Sequence, residues 1–163
     1  LANKGLTEKV AVVRPAGIAR DFFGPGMKPA VWSPDGSSVG NRALKPGLGL
    51  TGSKIRGAAV TWDFPAADLS LANGTLVLRY VNRGPEIRGV LQMESPTAAN
   101  PPSHPVVQLR FLRTPAGDTE IRIPMPATPA LHGLNKLTLL FESTTPRSID
   151  LDFPSFSFLP GED

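Results

Sequence analysis

From residue 57 onward, the chain alternates hydrophobic and polar side chains with a period of two. Val60, Trp62 and Phe64 share one parity, with Thr61 and Asp63 between them. This alternation is typical of a β-strand that buries one face and leaves the other in water. Four further segments show the same pattern: Thr75–Asn82, Ile87–Met93, Lys136–Glu142 and Ser148–Phe158.

A turn near the middle of the chain predicts a β-hairpin. Val106–Arg113 and Thr119–Pro124 flank the segment Pro115-Ala116-Gly117-Asp118, and this spacing is typical of two antiparallel strands joined by a tight connection. We expect the hairpin to bury one face of each strand. The residues of that inner face would be Val107, Leu109, Phe111, Ile121 and Ile123.

Two more strands are predicted at Lys9–Arg14 and Ala43–Leu50, and Pro154 is expected to break or bulge the last strand. The total is roughly 8–10 strands at a spacing of about 8–12 residues. Strands of this number and spacing predict an all-β fold, a two-sheet antiparallel β-sandwich of the jelly-roll type.

Glycine and proline are both abundant, with Gly 16 and Pro 18, and they are dispersed along the chain. Dispersed turn formers favour short strands and argue against long helices. The 163 residues fit one domain, residues 1–163, which is long enough to bury a core. Within it we expect residues 1–42 to form an irregular N-terminal wrap and residues 43–159 to form the sandwich.

Composition and charge exclude several classes of protein. The net charge is +3, and the densest basic cluster, Arg79, Arg83 and Arg88, is too sparse for a nucleic-acid-binding surface. The absence of cysteine excludes disulfides, thiolate metal sites and a cysteine nucleophile. No apolar run reaches the ~18–20 residues that a membrane-spanning helix needs.

Polar and aromatic side chains at outward positions are the first candidates for ligand contacts. Arginine and glutamine have planar, multi-donor groups that match neighbouring oxygens of sugars and carboxylates. Trp32 is the best candidate for an aromatic platform, because Trp62 and Tyr80 share the hydrophobic parity of their strands. The polar candidates are Arg79, Arg88, Gln92, Gln108 and Arg110. The alternative is that these residues form an ordinary solvated face.

A pair of carboxylates in the last strand is the only candidate for acid–base chemistry. Asp150 and Asp152 lie two residues apart, so both point to one face, about 6–7 Å apart. Such a pair can serve a glycosidase or bind Ca²⁺ through hard oxygen ligands. The segment Ser148–Asp152 resembles the Glu-x-Asp-x-Glu strand of laminarinase-type hydrolases, but both flanking glutamates are missing. We therefore expect no enzymatic activity.

The pattern from Ala43 to Leu159 resembles the galactose-binding-like jelly roll of many carbohydrate-binding modules. The resemblance rests on Trp62-Asp63-Phe64-Pro65 with Asp68-Leu69-Ser70, the strand Thr75–Asn82, the strand Thr119–Pro124 with its Pro-Met-Pro ending, and the acidic final strand Ser148–Phe158. It implies a structural Ca²⁺ near the final strand, on Asp152. It also implies sugar contacts either on the concave face or in the end loops, where Trp32 and Arg83 would take part.

These features together predict a non-catalytic carbohydrate-binding module whose partner is a polysaccharide or oligosaccharide. We expect it to be an accessory domain tethered to a catalytic or assembly domain of a larger exported bacterial protein that handles polysaccharide. Its location would be secreted, periplasmic or at the cell surface, and no signal sequence is apparent in this chain. The alternative is a structural or protein-interaction β-sandwich of a secretion or cell-surface assembly. It is favoured by aliphatic residues at outward positions, which are Val77, Val81, Val90, Leu112 and Leu140.

Overall fold

The computed structural model describes residues 18–96 and 106–161, and the side chains of all of these except 106–112. The predicted strand Lys9–Arg14 lies outside the described residues. Within them the chain forms nine strands and a 3-10 turn at Pro129–Leu131. The strands are β1 (Arg20–Asp21), β2 (Ala30–Trp32), β3 (Gly40–Ala43), β4 (Leu48–Asp63), β5 (Gly74–Asn82), β6 (Ile87–Glu94), β7 (Val106–Thr114), β8 (Gly117–Met125) and β9 (Lys136–Pro160).

The long strands β4 and β9 pair with each other and run through two layers. Residues 57–63 of β4 pair with residues 136–142 of β9, and this half belongs to the front sheet, ordered β2-β4-β9-β6-β7. Residues 48–52 of β4 pair with residues 149–153 of β9, and this half belongs to the back sheet. The order of the back sheet is β3-β4-β9-β5-β8, with β1 beside the end of β9.

Ring contacts between the two halves of β9 demonstrate that the sheets face each other. Phe141 and Phe153 stack with centroids 5.7 Å apart. Twelve residues of extended strand would separate them by about 40 Å, so β9 must fold back on itself. Trp62 of the front sheet lies 5.4 Å from Phe156 of the back sheet. The predicted two-sheet antiparallel sandwich is confirmed.

The core between the sheets follows the predicted alternation. Trp62 and Tyr80 are buried, as expected from their parity. Pro154 coincides with a register shift between β5 and β9, which confirms the predicted bulge and explains why the inward positions change from odd to even. The inward residues of β9 are Leu137, Leu139, Phe141, Ile149, Leu151, Phe153, Phe156 and Phe158, all buried.

The predicted hairpin between β7 and β8 is wrong. β7 pairs with β6 in the front sheet and β8 pairs with β5 in the back sheet, so the short connection at Pro115 crosses between layers. Buried polar groups hold this corner: Asn82 donates to the Thr114 carbonyl at 2.6 Å, and the Tyr80 hydroxyl donates to the Pro115 carbonyl at 3.3 Å. The alternating pattern indicates which face is buried but carries no information on which strand pairs with which.

The predicted strand Ala43–Leu50 is also wrong, because this segment contains the turn between β3 and β4. The turn includes a cis bond before Pro46 and closes with the Leu44 amide donating to the Gly47 carbonyl at 3.1 Å. Gly47 has a φ of 115°, and a Cβ there would collide with the Phe153 carbonyl. The described part of the expected N-terminal wrap, residues 18–42, contributes three short edge strands to the sandwich, and the last of them ends at Ala43.

No helix among the residues described, 18–96 and 106–161, is both long enough and apolar enough to cross a membrane.

Replacing the central aromatic of the folded-back strand should strongly destabilise the protein. Phe153 is 0% exposed and stacks on Phe141, so Phe153→Ala should lower the free energy of unfolding by about 3–5 kcal/mol through lost burial and a residual cavity. Equilibrium urea denaturation measures this. Leu159→Ala is the control, because Leu159 is 47% exposed and should change stability by less than about 0.5 kcal/mol. Equal effects of the two substitutions would contradict the fold-back of β9.

Candidate functional site

The outer face of the front sheet carries side chains in rows that cross its strands. Residues directly opposite one another in an antiparallel pair lie on the same face, so the register defines each row. The apolar row consists of Trp32, Ala59, Leu140 and Val90, of which Ala59 is buried. The next position in the register, opposite Val90 on β7, is Phe111. On one side of it lies the hydroxyl row, Thr61, Thr138 and Gln92, whose two threonines are buried. On the other side lies the charged row, Gly57, Glu142, Arg88 and Arg113.

Trp32 marks the β2 end of the apolar row and is held in a fixed orientation. Its side chain is 45% exposed, and its indole Nε1 donates to the Thr61 hydroxyl at 2.8 Å. Thr61 is itself 3.1 Å from the Thr138 hydroxyl, so the neighbouring hydroxyl row supports the indole. Because adjacent strands are about 4.8 Å apart, the row extends about 14 Å from Trp32 to Val90. An exposed aromatic at the end of a short apolar strip is therefore available for ligand contact.

A cleft of about 750 Å³ lies at the other side of the apolar row. Val90 and Leu140 form its apolar wall, and the charged row continues into it. The far wall is the segment 143–147, where the pairing of β9 with β4 shifts by several residues as β9 leaves the front sheet. The cleft thus exists because β9 passes from one layer to the other at this point.

The arginines of the cleft differ in their partners. Arg113 pairs with both carboxylate oxygens of Glu86, at 2.8 and 3.3 Å. Arg147 donates to the Ser143 hydroxyl at 2.8 Å and to the Glu86 carbonyl at 3.1 Å. Arg88 is exposed, and no hydrogen bond or ion pair to it is found from the side chains that the structure describes.

The structure brings some of the predicted ligand-binding residues together and separates others. Trp32, Arg88 and Gln92 share the outer face of the front sheet. Arg79 lies on β5 in the back sheet, where it forms a bidentate pair with Asp118 at 2.8 and 3.1 Å. These predicted residues therefore do not form one continuous patch.

The remaining candidates on the front sheet are placed by the backbone alone. Gln108 lies opposite Met93 and Arg110 opposite Leu91 in the register of β6 and β7, so neither belongs to the row of Arg88 or Gln92. Their side chains are outside the described ones, and their role in binding stays a prediction.

Sequence reasoning missed the residues that complete the cleft. Leu140 and Val90 appeared only as aliphatics at outward positions, with no reason to place them side by side. Arg147 lies in a segment without periodicity, between Pro146 and Ser148, and only the crossing of β9 brings it to Arg88. The one signal in the sequence was the presence of aliphatic residues at outward positions, because the solvent-facing side of an antiparallel sheet normally carries polar residues.

The two aspartates of the last strand form a cluster with two arginines on the back sheet. One oxygen of Asp152 accepts from Arg42, and the other accepts from Arg83 at 2.7 Å. Arg42 also donates to Asp150 at 2.8 Å. Burial by itself raises the pKa of the Asp152 carboxyl, but the hydrogen bonds from Arg42 and Arg83 outweigh it and the pKa is lowered.

This cluster does not fit the roles that the sequence suggested for it. A Ca²⁺ ion needs several oxygen ligands, whereas both oxygens of Asp152 face guanidinium groups, and the described residues contain no cluster of three or more metal-ligating side chains. A glycosidase needs one carboxyl with a raised pKa as its acid, and the pKa of Asp152 is lowered. Arg83, predicted as a ligand-binding residue, is engaged here.

No protein-family model matches the sequence, and no curated protein is significantly similar to it. Several solved structures share the fold. A family 11 carbohydrate-binding module from Clostridium thermocellum, in complex with a β-1,3-1,4-mixed-linked tetrasaccharide, matches with a TM-score of 0.61 at 12% identity. The match covers 91% of this chain and 98% of that chain.

Two other solved structures extend the comparison. A family 30 carbohydrate-binding module matches with a TM-score of 0.58 at 9% identity, covering 90% of this chain and 89% of that chain. The agarase AgWH50C matches with a TM-score of 0.63 at 9% identity, covering 88% of this chain but only 26% of the agarase chain. The predicted resemblance to the jelly roll of carbohydrate-binding modules is confirmed at the level of the fold.

Removing the buried charge of Asp152 should destabilise the domain. Asp152→Asn leaves two arginines facing an amide that offers one acceptor instead of two, and we expect the free energy of unfolding to fall by about 1–3 kcal/mol. The matched control is Asp118→Asn, whose pair with Arg79 is exposed and should contribute less than about 1 kcal/mol. Equal losses in urea denaturation would contradict the structural role of the cluster.

The wild type and Asp152→Asn should also differ in how their stability depends on pH. Because the pKa of Asp152 is lowered in the folded state, its contribution is fully present above the unfolded-state pKa of about 3.9 and is lost as pH falls through the lower folded value. The stability gap between the wild type and Asp152→Asn should therefore shrink as the pH falls from about 5 towards 3. A gap that stays constant over this range, measured by urea denaturation, would contradict the lowered pKa.

Proposed function

We propose that the outer face of the front sheet binds a polysaccharide chain and that the domain is a non-catalytic carbohydrate-binding module. The observation that carries the proposal is the half-exposed Trp32, fixed by Thr61 at the end of the apolar row. A pyranose ring presents C–H groups on its faces and hydroxyls around its edge. An exposed aromatic surface on the same face as the Gln92 amide and the charged row matches both parts of such a ring.

The arrangement of the rows also suits an extended ligand. Trp32 and Val90 stand about 14 Å apart along a direction that crosses the strands, and polar rows flank the strip on both sides. A linear chain lying along the apolar row would place sugar faces against it and sugar edges against Gln92 on one side and Arg88 on the other. This arrangement favours a polymer over a single small sugar.

The fold likeness supports the proposal, since two of the similar structures are carbohydrate-binding modules and one of them holds a tetrasaccharide. The absence of catalysis is supported by the engagement of Asp150 and Asp152 with arginines. We further propose that the domain is an accessory part of a larger exported, secreted or cell-surface protein that handles polysaccharide. The match to a quarter of an agarase chain is what such an arrangement would produce.

A second candidate function is a structural or protein-interaction domain. The observation in its favour is that Val90 and Leu140 lie side by side on an outer face, only partly covered. A protein partner would cover this strip with apolar side chains of its own. The polar rows on both sides of the strip favour the glycan, because they would otherwise need matched partners across a protein interface.

Truncating the aromatic end of the apolar row should abolish most glycan binding. Trp32→Ala removes the aromatic surface on which a sugar ring would stack. We expect the affinity for a bound polysaccharide to fall by about tenfold, since stacking and the apolar area it buries contribute on the order of 1–2 kcal/mol. Affinity electrophoresis against a panel of neutral and uronic-acid polymers measures it. Thr61→Val, which removes only the acceptor for the indole, should give a smaller loss.

Leu159→Ala serves as a control, because Leu159 is as exposed as Trp32 but lies on the back-sheet half of β9. It should leave binding unchanged. Wild-type protein that binds no polymer at millimolar concentrations, or a Trp32→Ala variant that binds as well as wild type, would overturn the proposed function.

A further inference from the structure

We propose that the cleft beside the apolar row binds an anionic substituent, a carboxylate or sulfate, of an acidic polysaccharide, with Arg88 and Arg147 as donors. The inference rests on the proposed function and specifies the class of polymer. The central observation is the exposed guanidinium of Arg88, whose neighbours on the two adjacent strands, β7 and β9, are known from the register.

Arg88 stands between Glu142 on β9 and Arg113 on β7. The positive charge of Arg113 is offset by its bidentate pair with Glu86, so Arg113 neither strongly repels Arg88 nor supplies it with a partner. On its other side Arg88 faces Glu142, yet no ion pair joins them among the contacts of the described side chains. The Arg88 side chain therefore lines the cleft without a hydrogen bond or ion pair to any described side chain.

The other two arginines of the cleft have different roles. Arg113 is already neutralised by its bidentate contact with Glu86. Arg147 makes its hydrogen bonds to neutral groups, the Ser143 hydroxyl and the Glu86 carbonyl, which orient its guanidinium but leave its charge unpaired within the described chain. A guanidinium has five donors, so Arg147 keeps donors for a ligand.

The charge balance of the cleft follows from these contacts. Once the Arg113–Glu86 pair is set aside, two cations, Arg88 and Arg147, remain against one anion, Glu142. Planar, bidentate donors of this kind bind carboxylate and sulfate-like oxyanions more strongly than neutral hydroxyls, because the hydrogen bonds are charge-assisted. An anionic sugar substituent therefore fits the cleft better than a neutral sugar edge.

The cleft is continuous with the proposed binding face. Val90 and Leu140 belong both to the apolar row and to the wall of the cleft. A sugar ring that lies on Val90 and Leu140 would have the substituents of its edge within reach of the charged row. The charged row is the neighbouring row, two residues further along each strand. The ring and its acidic group are thus recognised by neighbouring rows of the same sheet.

The test compares three polymers: a polyuronate, a sulfated galactan and a neutral mixed-linkage β-glucan. Affinity electrophoresis and calorimetry would be run with the wild type, Arg88→Gln, Arg147→Gln and the control Arg79→Gln, which removes the same charge from the back sheet. We expect Arg88→Gln to weaken binding of the anionic polymer by about tenfold, the loss typical of one charge-assisted hydrogen bond. Arg147→Gln should weaken it in the same direction, and Arg79→Gln should not.

Salt provides an independent readout. Binding of the anionic polymer should weaken as sodium chloride is raised from about 20 to 500 mM, whereas binding of a neutral polymer should not. If Arg88→Gln weakens binding of the polyuronate, the recognised group is a carboxylate. If it weakens binding of the sulfated galactan, the recognised group is a sulfate. Either result supports the inference.

Binding of the neutral glucan alone would overturn the inference and leave the proposed function standing. Arg88→Gln that weakens neutral and anionic polymers equally would also overturn it. Binding of none of the three polymers would overturn the proposed function as well. Thermal denaturation of each variant separates loss of binding from loss of folding.

Discussion

The pairing of β4 with β9 in both sheets is the constraint on which the rest of the structure depends. These two strands are the only part of the described chain that belongs to both layers, and every other strand pairs with one of them or with a strand that does. The stacking of Phe141 on Phe153 joins the two halves of β9 across the core. Burial of their rings and of the other core residues is the favourable term that holds the crossing closed.

The crossing also determines where the cleft of the proposed binding face lies. As β9 leaves the front sheet, its residues Ser143, Thr144 and Arg147 form one wall of the cleft. The same departure exposes Leu140 and Glu142 at the end of the pairing with β6. A sheet that ended in a simple hairpin would present the same rows without a wall beside them. The site is therefore a product of the way in which the sandwich is closed.

The arginines of this domain illustrate how burial and partners set the role of a charged group. Arg42 and Arg83 are engaged by a nearly buried carboxylate and act in stability. Arg79 forms an exposed pair with Asp118, an arrangement that typically contributes little. Arg88 has the same side chain at the same outward parity but no such partner among the described side chains, and for this reason we proposed it as a donor to a ligand. Residue type and parity alone do not distinguish these three cases.

The sequence by itself determined the strands with clear alternation, the antiparallel sandwich as a fold class, the core positions of Trp62 and Tyr80 and the bulge at Pro154. Each of these depends on local alternation or on the geometry of a single residue. The partners of each strand were decided only in the tertiary structure. β7 and β8 lie in different sheets although their connection resembles a hairpin turn, and Arg79 and Arg88 lie on opposite outer faces although both have outward parity. Period-two alternation assigns a side chain to the inside or the outside, but long-range pairing decides which outside it is.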